Sequence, residues 1–377
     1  MSIEIHGALA PGFEPVRAVF EENFATRGEL GAAFALIRNG EVLCDLRAGW
    51  ADRARTRPWA PDTLVPVFSS GKAVTALVMA WLVDQGRLDY DAPVSALWPD
   101  FAAEGKGDVT IAQALSHQAG LPGPVAGIEP ADWFDRGRME AHFAAMVPLW
   151  TPGDGSGYHP LSFGVLADAI ARRADTNGRS VGGILREMVA GPRGIDCHIG
   201  LPEAEHARAA EHVLPARAPN LGTITPEKQA AFLNPGSSPG RKGAAAWRSA
   251  ELPAANAHAT ALSLARLMAP FACEGRLDGE AFLGHDTLAA ALKPRAAGPD
   301  RVLPFDLSFA AGVMINRASG AFGPEPRTVG HYGFGGSCVF ADPVRGLSGA
   351  YVMNRQMDVL VGDARAQALI DASYRCL

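Results

Sequence analysis

Hydrophobic residues recur at three- and four-residue intervals along much of the chain, and this spacing predicts amphipathic helices. The first such segment covers residues 11–24. Two apolar runs follow at 32–38 and 41–50, and Asn39-Gly40 between them is a strong signal for a β-hairpin. The stretch 67–86 begins with small polar residues and becomes strongly apolar, which predicts a buried helix. These patterns place a helix, a hairpin and a buried helix in the first quarter of the chain.

The middle of the chain is rich in alanine, proline and glycine, and strand patterns return only near its end. Further helices are predicted at 111–117, 136–146, 163–173, 182–188 and 260–271, with a long loop at 214–252. The terminal part predicts strands at 310–316, 338–341 and 347–353 and a helix at 359–374. Strands at both ends with a helical middle indicate an α+β fold, in which one antiparallel sheet is built from both chain ends, flanked by helices.

This fold class implies two structural units within the 377 residues. We expect a discontinuous sheet domain formed by residues 1–66 and 300–377, and a mainly helical domain formed by residues 67–299. The helical domain carries the buried helix that starts near Ser69. A binding site is expected in the cleft between the two units.

Composition narrows the possible partners and the compartment. Hydrophobic residues make up 48% and charged residues 20% of the chain, the net charge is −6, and no run of basic residues is longer than two. These values argue against a nucleic-acid or membrane-surface partner. The five cysteines are scattered without a C-x-x-C pair, which favours free thiols. The first residues resemble no secretion signal, and the expected location is the cytoplasm.

Ser69 and Lys72 stand three residues apart at the polar beginning of the apolar helix. On a helix this spacing puts the two side chains on one face, so that a hydroxyl and an amine can meet. A serine hydroxyl needs a neighbouring base to act as a nucleophile, and S-x-x-K is a known nucleophile signature. Taken alone, the pair is a weak signal, because most such pairs are a helix cap followed by a solvated lysine.

Two further stretches carry groups that could act beside this pair. Tyr158 lies in a glycine-rich loop just before a predicted helix, and a phenol beside a lysine ammonium can have its pKa lowered enough to act as a base. A packing role is the common alternative for such a tyrosine. The stretch Gly330-His331-Tyr332-Gly333-Phe334-Gly335-Gly336-Ser337 contains four glycines, which indicates a close approach to the backbone. Either a ligand carbonyl or a tight turn would explain it.

In this order, Ser-x-x-Lys, Tyr and His-x-Gly, the chain resembles the serine β-lactamase and penicillin-binding-protein superfamily. It looks most like the branch of class C β-lactamases, D-alanyl-D-alanine carboxypeptidases and family VIII carboxylesterases. The segments 86–94, 114–122 and 251–266 also look like segments of that family. The resemblance runs from about residue 15 to the C-terminus.

The resemblance implies roles for three side chains. Ser69 would be the acylated nucleophile, and Lys72 would take or stabilise its proton. Tyr158 would match the tyrosine that assists proton transfer to the leaving group and activates the deacylating water. Splitting the reaction through an acyl-enzyme makes each step easier.

The resemblance also implies an oxyanion and substrate-binding site. His331 and Gly333 occupy the positions of the family's K-T-G or H-T-G triad. The oxyanion hole would consist of the backbone N–H groups of the nucleophile and of Phe334, just after that triad. Gly335 in the same stretch and His159 beside the tyrosine are added as candidate residues of this site.

Three departures from the family pattern favour an ester over a lactam or a peptide. Pro160 stands where β-lactamases have the asparagine of Y-x-N, and His331 replaces a lysine, which weakens the argument for a substrate carboxylate. The apparent lack of a secretion signal points away from peptidoglycan. We therefore expect a serine carboxylesterase for small, short-acyl esters. The alternatives are a β-lactamase, a D-Ala-D-Ala carboxypeptidase or an amidase of the same fold, and a non-catalytic binding domain; the oligomeric state stays open.

Other motifs are predicted to carry no chemistry. Gly236-Ser237-Ser238-Pro239-Gly240 matches G-x-S-x-G, but the flanking prolines disfavour the strand and helix that this motif needs, so we interpret it as a loop. His206, Glu211 and His212 fit no zinc spacing, and His117 is expected to be a hydrogen-bonded structural residue. No phosphate loop or dinucleotide fingerprint is present, so neither a cofactor nor a metal is expected.

Overall fold

The computed structural model describes residues 3–317 and 320–377. The first two residues of the predicted segment 1–66 and residues 318–319 of the segment 300–377 therefore lie outside the description. In chain order the strands are β1 Ile5–Leu9, β2 Gly31–Arg38, β3 Glu41–Gly49, β4 Val65–Pro66, β5 Cys197–Ile199, β6 Ala257–Ala259, β7 Arg276–Leu277, β8 Glu280–Ala281, β9 Ala296–Pro299, β10 Asp306–Phe309, β11 Met314–Ile315, β12 Val329–Tyr332, β13 Cys338–Asp342 and β14 Leu347–Met353.

The helices fill most of the middle of the chain. The α-helices are α1 Glu14–Thr26, α2 Gly71–Asp84, α3 Ile111–Leu115, α4 Arg136–Ala145, α5 Ser162–Ala174, α6 Val181–Ile184, α7 Pro226–Lys228, α8 Ala245–Ser249, α9 Ala261–Ala272, α10 His285–Leu292 and α11 Ala364–Arg375. Two of them continue as π-helical turns, Leu185–Ala190 and Gln229–Leu233. Short 3₁₀ turns occupy Phe68–Ser70, Val94–Ala96, Pro99–Gly105, Pro130–Phe134, Gly191–Arg193 and Glu203–Arg208.

One antiparallel sheet is built from both ends of the chain, as the sequence predicts. Over the described residues its order is β1-β3-β2-β14-β13-β12-β11-β10-β9, so that β2 from the N-terminal part pairs with β14 from the C-terminal part. A small separate sheet joins β4, β6 and β5 within the helical part. The predicted α+β class is therefore confirmed, while the domain boundaries at 66 and 300 stay a prediction.

The two faces of the sheet are covered by different helices because strand side chains alternate in direction. In β2, Phe34 and Leu36 pack with the terminal helices α1 and α11. Ala33, Ala35 and Ile37 face the opposite cluster, which contains α2, α5 and α9. The terminal helices cover one face, and the helical part with the nucleophile helix covers the other.

The β2–β3 hairpin confirms the Asn39-Gly40 signal. Both residues have positive φ, 49° for Asn39 and 87° for Gly40. This conformation matches the twist of the two strands, and asparagine and glycine adopt it at low cost. The turn was therefore predictable from two adjacent residues.

Several strand and helix limits differ from the prediction. The expected strand at 310–316 is broken, because Gly312 turns at a φ of 92° and separates β10 from β11. The last helix starts at Ala364 and not at 359, because Asp363 caps it by accepting a hydrogen bond from the Arg365 N–H (2.8 Å). The strands that were not predicted are β1, β4, β5, β6, β7, β8, β9, β10 and β12. In β12, Gly330 leaves room for the Val339 carbonyl and the Phe322 ring, a long-range reason for a strand glycine.

Candidate active site

Ser69 lies in the 3₁₀ turn Phe68–Ser70, which directly precedes α2. Phe68 holds a positive φ of 48°, a conformation that a phenylalanine adopts only under constraint from its surroundings. The turn is anchored by the Val67 N–H, which donates to the Ala257 carbonyl (2.8 Å). Every residue of α2 from Gly71 to Leu82 is buried, so the helix has no solvent face. The nucleophile candidate therefore stands on a rigid support.

Lys72 is fully buried and lies directly against Ser69. Its Nζ donates to the Pro160 carbonyl (2.7 Å) and the Ala254 carbonyl (3.0 Å), and lies 2.9 Å from Ser69 Oγ. Burial lowers the pKa of this amine well below its usual value, and no carboxylate opposes that change. The alternative of a helix cap followed by a solvated lysine does not fit this position.

Tyr158 is brought next to this pair from a distant part of the chain. Lys72 Nζ lies 4.8 Å from the centre of the Tyr158 ring. Burial raises the pKa of the phenol, and its hydrogen bonding with the Ser69 side chain only partly offsets that. The direction is the reverse of the sequence-based expectation, because burial disfavours the charged phenolate more than its neighbours stabilise it. These directions favour an uncharged phenol and make the amine the better candidate for a base.

Asp300 holds the loop that carries Tyr158. Its buried carboxylate accepts hydrogen bonds from the Tyr158 N–H (2.9 Å), Ser156 Oγ (3.0 Å), and the Val302 and Leu303 N–H groups (3.0 and 2.8 Å). Buried carboxylates of this kind are stable only when several donors surround them. Nothing in the sequence near residue 158 signals Asp300, because it lies 142 positions away.

His331 is buried at the end of β12, with its ring centre 5.9 Å from that of Tyr158. Its Nδ1 donates to the Tyr332 carbonyl (2.7 Å), so Nε2 is the unprotonated nitrogen, and Nε2 has no partner among the described residues. Burial, assisted by the nearby Lys72, lowers the pKa of His331 to about 3. The ring is therefore neutral and offers an acceptor to the cleft.

The glycine-rich turn after β12 leaves the backbone N–H of Phe334 unused. Gly333 N–H donates to the Ser337 carbonyl (2.7 Å), and Gly335 N–H donates to the Val359 carbonyl (3.3 Å). The N–H of Phe334 has no acceptor among the described residues. The assignment of Phe334 as an oxyanion donor stays a prediction, and its free N–H is compatible with that role. Gly333 and Gly335 have no free N–H for a substrate. The absence of a side chain at these two positions makes room for Val67, Ser337 and Gln356.

Two serines join this turn to the nucleophile turn. Ser337 Oγ donates to the Val67 carbonyl (2.7 Å), and Ser70 Oγ lies 3.0 Å from Ser337 Oγ and 3.3 Å from the His331 carbonyl. All of these groups are buried. Ser69 lies in a first helical turn, where backbone N–H groups lack helical partners. These hydrogen bonds therefore hold the Ser69 N–H and the Phe334 N–H on two segments that are fixed to each other.

His159 does not line the cleft, and its place as a candidate binding residue is corrected. Its Nδ1 donates to the Gly157 carbonyl (2.6 Å), and its Nε2 accepts from the Leu121 N–H (3.1 Å). Its own N–H donates to His117 Nδ1 (3.0 Å), so His117 is the hydrogen-bonded structural residue that was expected. Both rings are buried and support the loop behind Tyr158.

A cavity of about 280 Å³ opens above these groups. Its lining is mostly apolar, and a large part of it comes from the long predicted loop at 214–252. From that loop it takes Ala218, Pro219, Leu221, Ala231, Phe232, Leu233, Ser237, Ser238, Pro239, Lys242 and Trp247, and from elsewhere Phe68, Ser69, Tyr158, Pro160, Leu161, Ala255, Leu303, Met314, His331, Tyr332, Phe334, Leu360 and Val361. The volume suits a small ligand.

The other sequence motifs do not form sites of their own. Ser238 lies in a loop and not between a strand and a helix, although it reaches the cleft wall. His206 Nε2 donates to the Leu201 carbonyl (3.1 Å) and lies 3.3 Å from Ser249 Oγ, and Glu211 accepts from the Arg53 N–H (2.8 Å). Within residues 3–317 and 320–377, no group of three His, Cys, Asp or Glu residues could hold a metal ion. All five cysteines are free.

Comparison with known proteins identifies the family. The Beta-lactamase family model matches residues 16–372. The chain belongs to the Beta-lactamase family. It is 35% identical over 373 residues, 95% of this chain and 84% of the other protein, to the esterase/beta-lactamase LipL of Mycobacterium tuberculosis. The expected resemblance is confirmed.

Solved structures of the Beta-lactamase family superpose over the whole chain. A penicillin-binding-protein homologue from Caulobacter crescentus has a TM-score of 0.96 at 50% identity, covering 99% of this chain and all of the other. A family VIII carboxylesterase has a TM-score of 0.94 at 38% identity and covers both chains completely. The fold is thus that of β-lactamases and transpeptidases, and the enzyme is a serine hydrolase of the carboxylesterase type. Among the described residues, no helix is both long and apolar enough to cross a membrane.

Proposed function

We propose that this protein hydrolyses small, short-acyl carboxylic esters through an acyl-enzyme on Ser69. The observation that carries the proposal is the environment of Lys72. Two carbonyl oxygens accept hydrogen bonds from its Nζ, and Ser69 Oγ occupies the remaining direction at 2.9 Å. A neutral amine held in this way directs its lone pair at the serine hydroxyl, which is the arrangement that nucleophile activation needs.

In acylation, Ser69 Oγ attacks the ester carbonyl carbon while its proton moves to Lys72 Nζ. The negative charge that develops on the carbonyl oxygen is stabilised by the N–H groups of Ser69 and Phe334, and two such fixed donors supply several kcal/mol. The tetrahedral intermediate collapses as Tyr158 gives its proton to the leaving alkoxide. The proton held by Lys72 then returns the phenol to its neutral form.

In deacylation, the same groups work in the opposite direction. A water molecule attacks the acyl carbon while Lys72 takes a proton from it, directly or through Tyr158. The bond to Ser69 Oγ breaks, the serine recovers a proton from Lys72, and the carboxylic acid leaves. Both steps need an amine that is unprotonated at rest, and burial provides this by lowering the pKa of Lys72.

The cleft supports small substrates. Its volume of about 280 Å³ is at the lower end of the range for ligand sites, and its walls are mostly apolar. The relatives named as an esterase/beta-lactamase and as a family VIII carboxylesterase support the ester class. A short acyl group fits these limits better than a long chain.

Intact mass measurement after incubation with a fluorophosphonate, together with kinetics on p-nitrophenyl esters and on nitrocefin, tests the proposal. We expect one covalent adduct and ester turnover in the wild type, and neither in Ser69→Ala. Tyr158→Phe should lower kcat by about 10²–10⁴-fold, the scale of a positioned proton donor. Adduct formation or turnover by Ser69→Ala would refute the assignment, faster lactam than ester turnover would favour the β-lactamase alternative, and no adduct in the wild type would favour a binding domain.

A further inference from the structure

One charged side chain faces the cleft, and it is a cation without a counterion. Lys242 lines the cavity beside the candidate oxyanion residue, and no aspartate or glutamate of the described residues contributes to that lining. Its Nζ lies 4.9 Å from the centre of the Phe334 ring and 5.6 Å from that of Phe68. The side chain stays accessible to solvent, yet the aromatic walls around it lower the pKa of the amine through desolvation, and no carboxylate counteracts this.

The neighbourhood of Lys242 is rich in nitrogen and poor in carboxylate. His212 stacks on Phe68 with ring centres 4.7 Å apart, and neither of its buried ring nitrogens has a partner among the described residues. Burial lowers the pKa of His212 to about 3, and the charges of Lys242 and Arg248 add to this shift, so these groups are close enough to affect each other electrostatically. His212 is uncharged at this pKa, so the positive charge of Lys242, with no carboxylate among the described residues of the cavity lining, is what favours an anion here.

Other lysines of the chain show the contrast. Lys106 Nζ donates to the Ala103 and Met146 carbonyls (both 2.7 Å), and Lys228 Nζ donates to the Leu221 carbonyl (2.6 Å). Lys72 is bonded to two carbonyls in the same way. Within the described part of the chain, Lys242 Nζ has aromatic rings beside it and no oxygen acceptor, and rings satisfy an ammonium group less fully than an oxygen does.

We propose that Lys242 forms a carboxylate-binding subsite and that the preferred substrates are small esters with a free carboxylate on the acyl or the alcohol part. This inference rests on the proposed function. The sequence argued against a substrate carboxylate, because a histidine replaces the family lysine at position 331; the structure restores a cation to the cleft from a different loop. The ammonium lies over the ring of Phe334, whose own N–H is the proposed oxyanion donor. A single small substrate can therefore place its carboxylate on Lys242 and its reacting carbonyl oxygen at Phe334. A charge-assisted hydrogen bond of this kind should favour the anion about tenfold or more in kcat/KM.

Two matched pairs of substrates test the subsite. On the alcohol side, 3- and 4-acetoxybenzoate are compared with 3- and 4-acetoxybenzamide; on the acyl side, monophenyl adipate is compared with its neutral amide. The readout is the ratio of kcat/KM for the anionic and the neutral member. We expect a ratio of about ten or more in at least one pair for the wild type, falling severalfold in Lys242→Met and inverting in Lys242→Glu.

The neighbouring Arg241 provides the matched control, because it is an exposed cation that does not line the cavity. Arg241→Met should keep the wild-type ratio. Ratios near one for every pair in the wild type, or an equal decrease in both Met variants, would overturn the subsite while ester turnover through Ser69 still supports the proposed function. If no ester is turned over, the proposed function fails, and calorimetric binding of 3- and 4-hydroxybenzoate against the hydroxybenzamides, in wild type and Lys242→Met, decides on the subsite by itself.

Discussion

Replacing Arg365 should affect both stability and catalysis, because this buried guanidinium supports the turn that carries Phe334. The side chain is 1% exposed. It donates to both oxygens of Asp363 (3.1 and 2.8 Å), to Glu29 (3.1 Å), and to the Gly335 and Arg355 carbonyls (3.1 and 3.0 Å). Tyr351 completes the cluster with a hydrogen bond to Glu29. One cation thus balances two buried carboxylates and binds the carbonyl directly after Phe334.

The size of the effect follows from what Arg365→Met leaves behind. Two carboxylates lose their cation in a place that water does not reach, and removing one partner of a buried ion pair costs about 3–5 kcal/mol. A domain is stable by only about 5–15 kcal/mol, so this is a large part of the total. Arg327→Met removes the same atoms from a side chain that is 70% exposed and bonded to Glu325 at 3.2 Å. That surface pair should contribute about 0–1 kcal/mol.

Equilibrium urea unfolding, followed by tryptophan fluorescence, measures both variants on one scale. Kinetics on a p-nitrophenyl ester well below the unfolding midpoint then report on the turn. We expect kcat to fall in Arg365→Met with a smaller change in KM, because a mobile Phe334 N–H stabilises the transition state less than a fixed one. Arg365→Lys, which keeps the charge but not the fork of donors, should fall between the wild type and the Met variant and serves as the folded variant if Arg365→Met does not fold.

Two results would refute this reasoning. Equal losses of unfolding free energy in Arg365→Met and Arg327→Met would mean that burial of the pair does not matter. A destabilised Arg365 variant with wild-type kcat would mean that the cluster stabilises the fold without positioning the oxyanion donor.

Three further predictions concern pH and the second serine. The ester hydrolysis rate should fall as pH drops through the lowered pKa of Lys72, because the protonated amine cannot accept the serine proton; a rate independent of pH on the acid side would contradict its role as base. Burial lowers the pKa of His159, His258 and His331 to about 3, against about 6.5 in the unfolded chain. The free energy of unfolding should therefore be highest above about pH 6.5 and decrease toward pH 3, by about 1.4 kcal/mol per pH unit for each ring. Urea unfolding at pH 7 and pH 5 measures this difference, and equal values would contradict it. Ser238→Ala should keep rates near the wild-type value in the same ester assay, and an inactive variant would revive the G-x-S-x-G motif as a nucleophile.

Features that depend on neighbours in sequence were predictable. The hairpin turn needs only Asn39 and Gly40, and the meeting of Ser69 with Lys72 needs only helical spacing. The apolar pattern of 67–86 also predicted that the helix is buried. The α+β class followed from strand patterns at both ends of the chain. A strand needs neighbouring strands to pair with, and the helical middle contained few segments with a strand pattern.

Features that depend on distant parts of the chain were not predictable from spacing. Asp300 fixes the Tyr158 loop across 142 positions, and Ser337 bonds the Val67 carbonyl across 270. The glycines near Phe334 were interpreted as room for a ligand or for a turn, and the structure gives the turn: protein backbone and side chains, including Gln356, fill that space. His159 was placed in the cleft because it follows Tyr158, but successive side chains point in different directions.

The roles of Lys72 and Tyr158 illustrate why burial decides the chemistry here. A lysine ammonium near a phenol in water would lower the pKa of the phenol, and this led to the expectation of a phenolate base. In the folded protein both groups are buried, and desolvation disfavours the charged form of each, which lowers the pKa of the amine and raises that of the phenol. Burial therefore favours the uncharged form of both groups, which suits the proposed roles of Lys72 as base and Tyr158 as acid. A substitution that admits water behind Lys72, next to the Ala254 and Pro160 carbonyls that accept from its Nζ, should favour the ammonium and lower the rate of ester hydrolysis without touching Ser69, Lys72 or Tyr158.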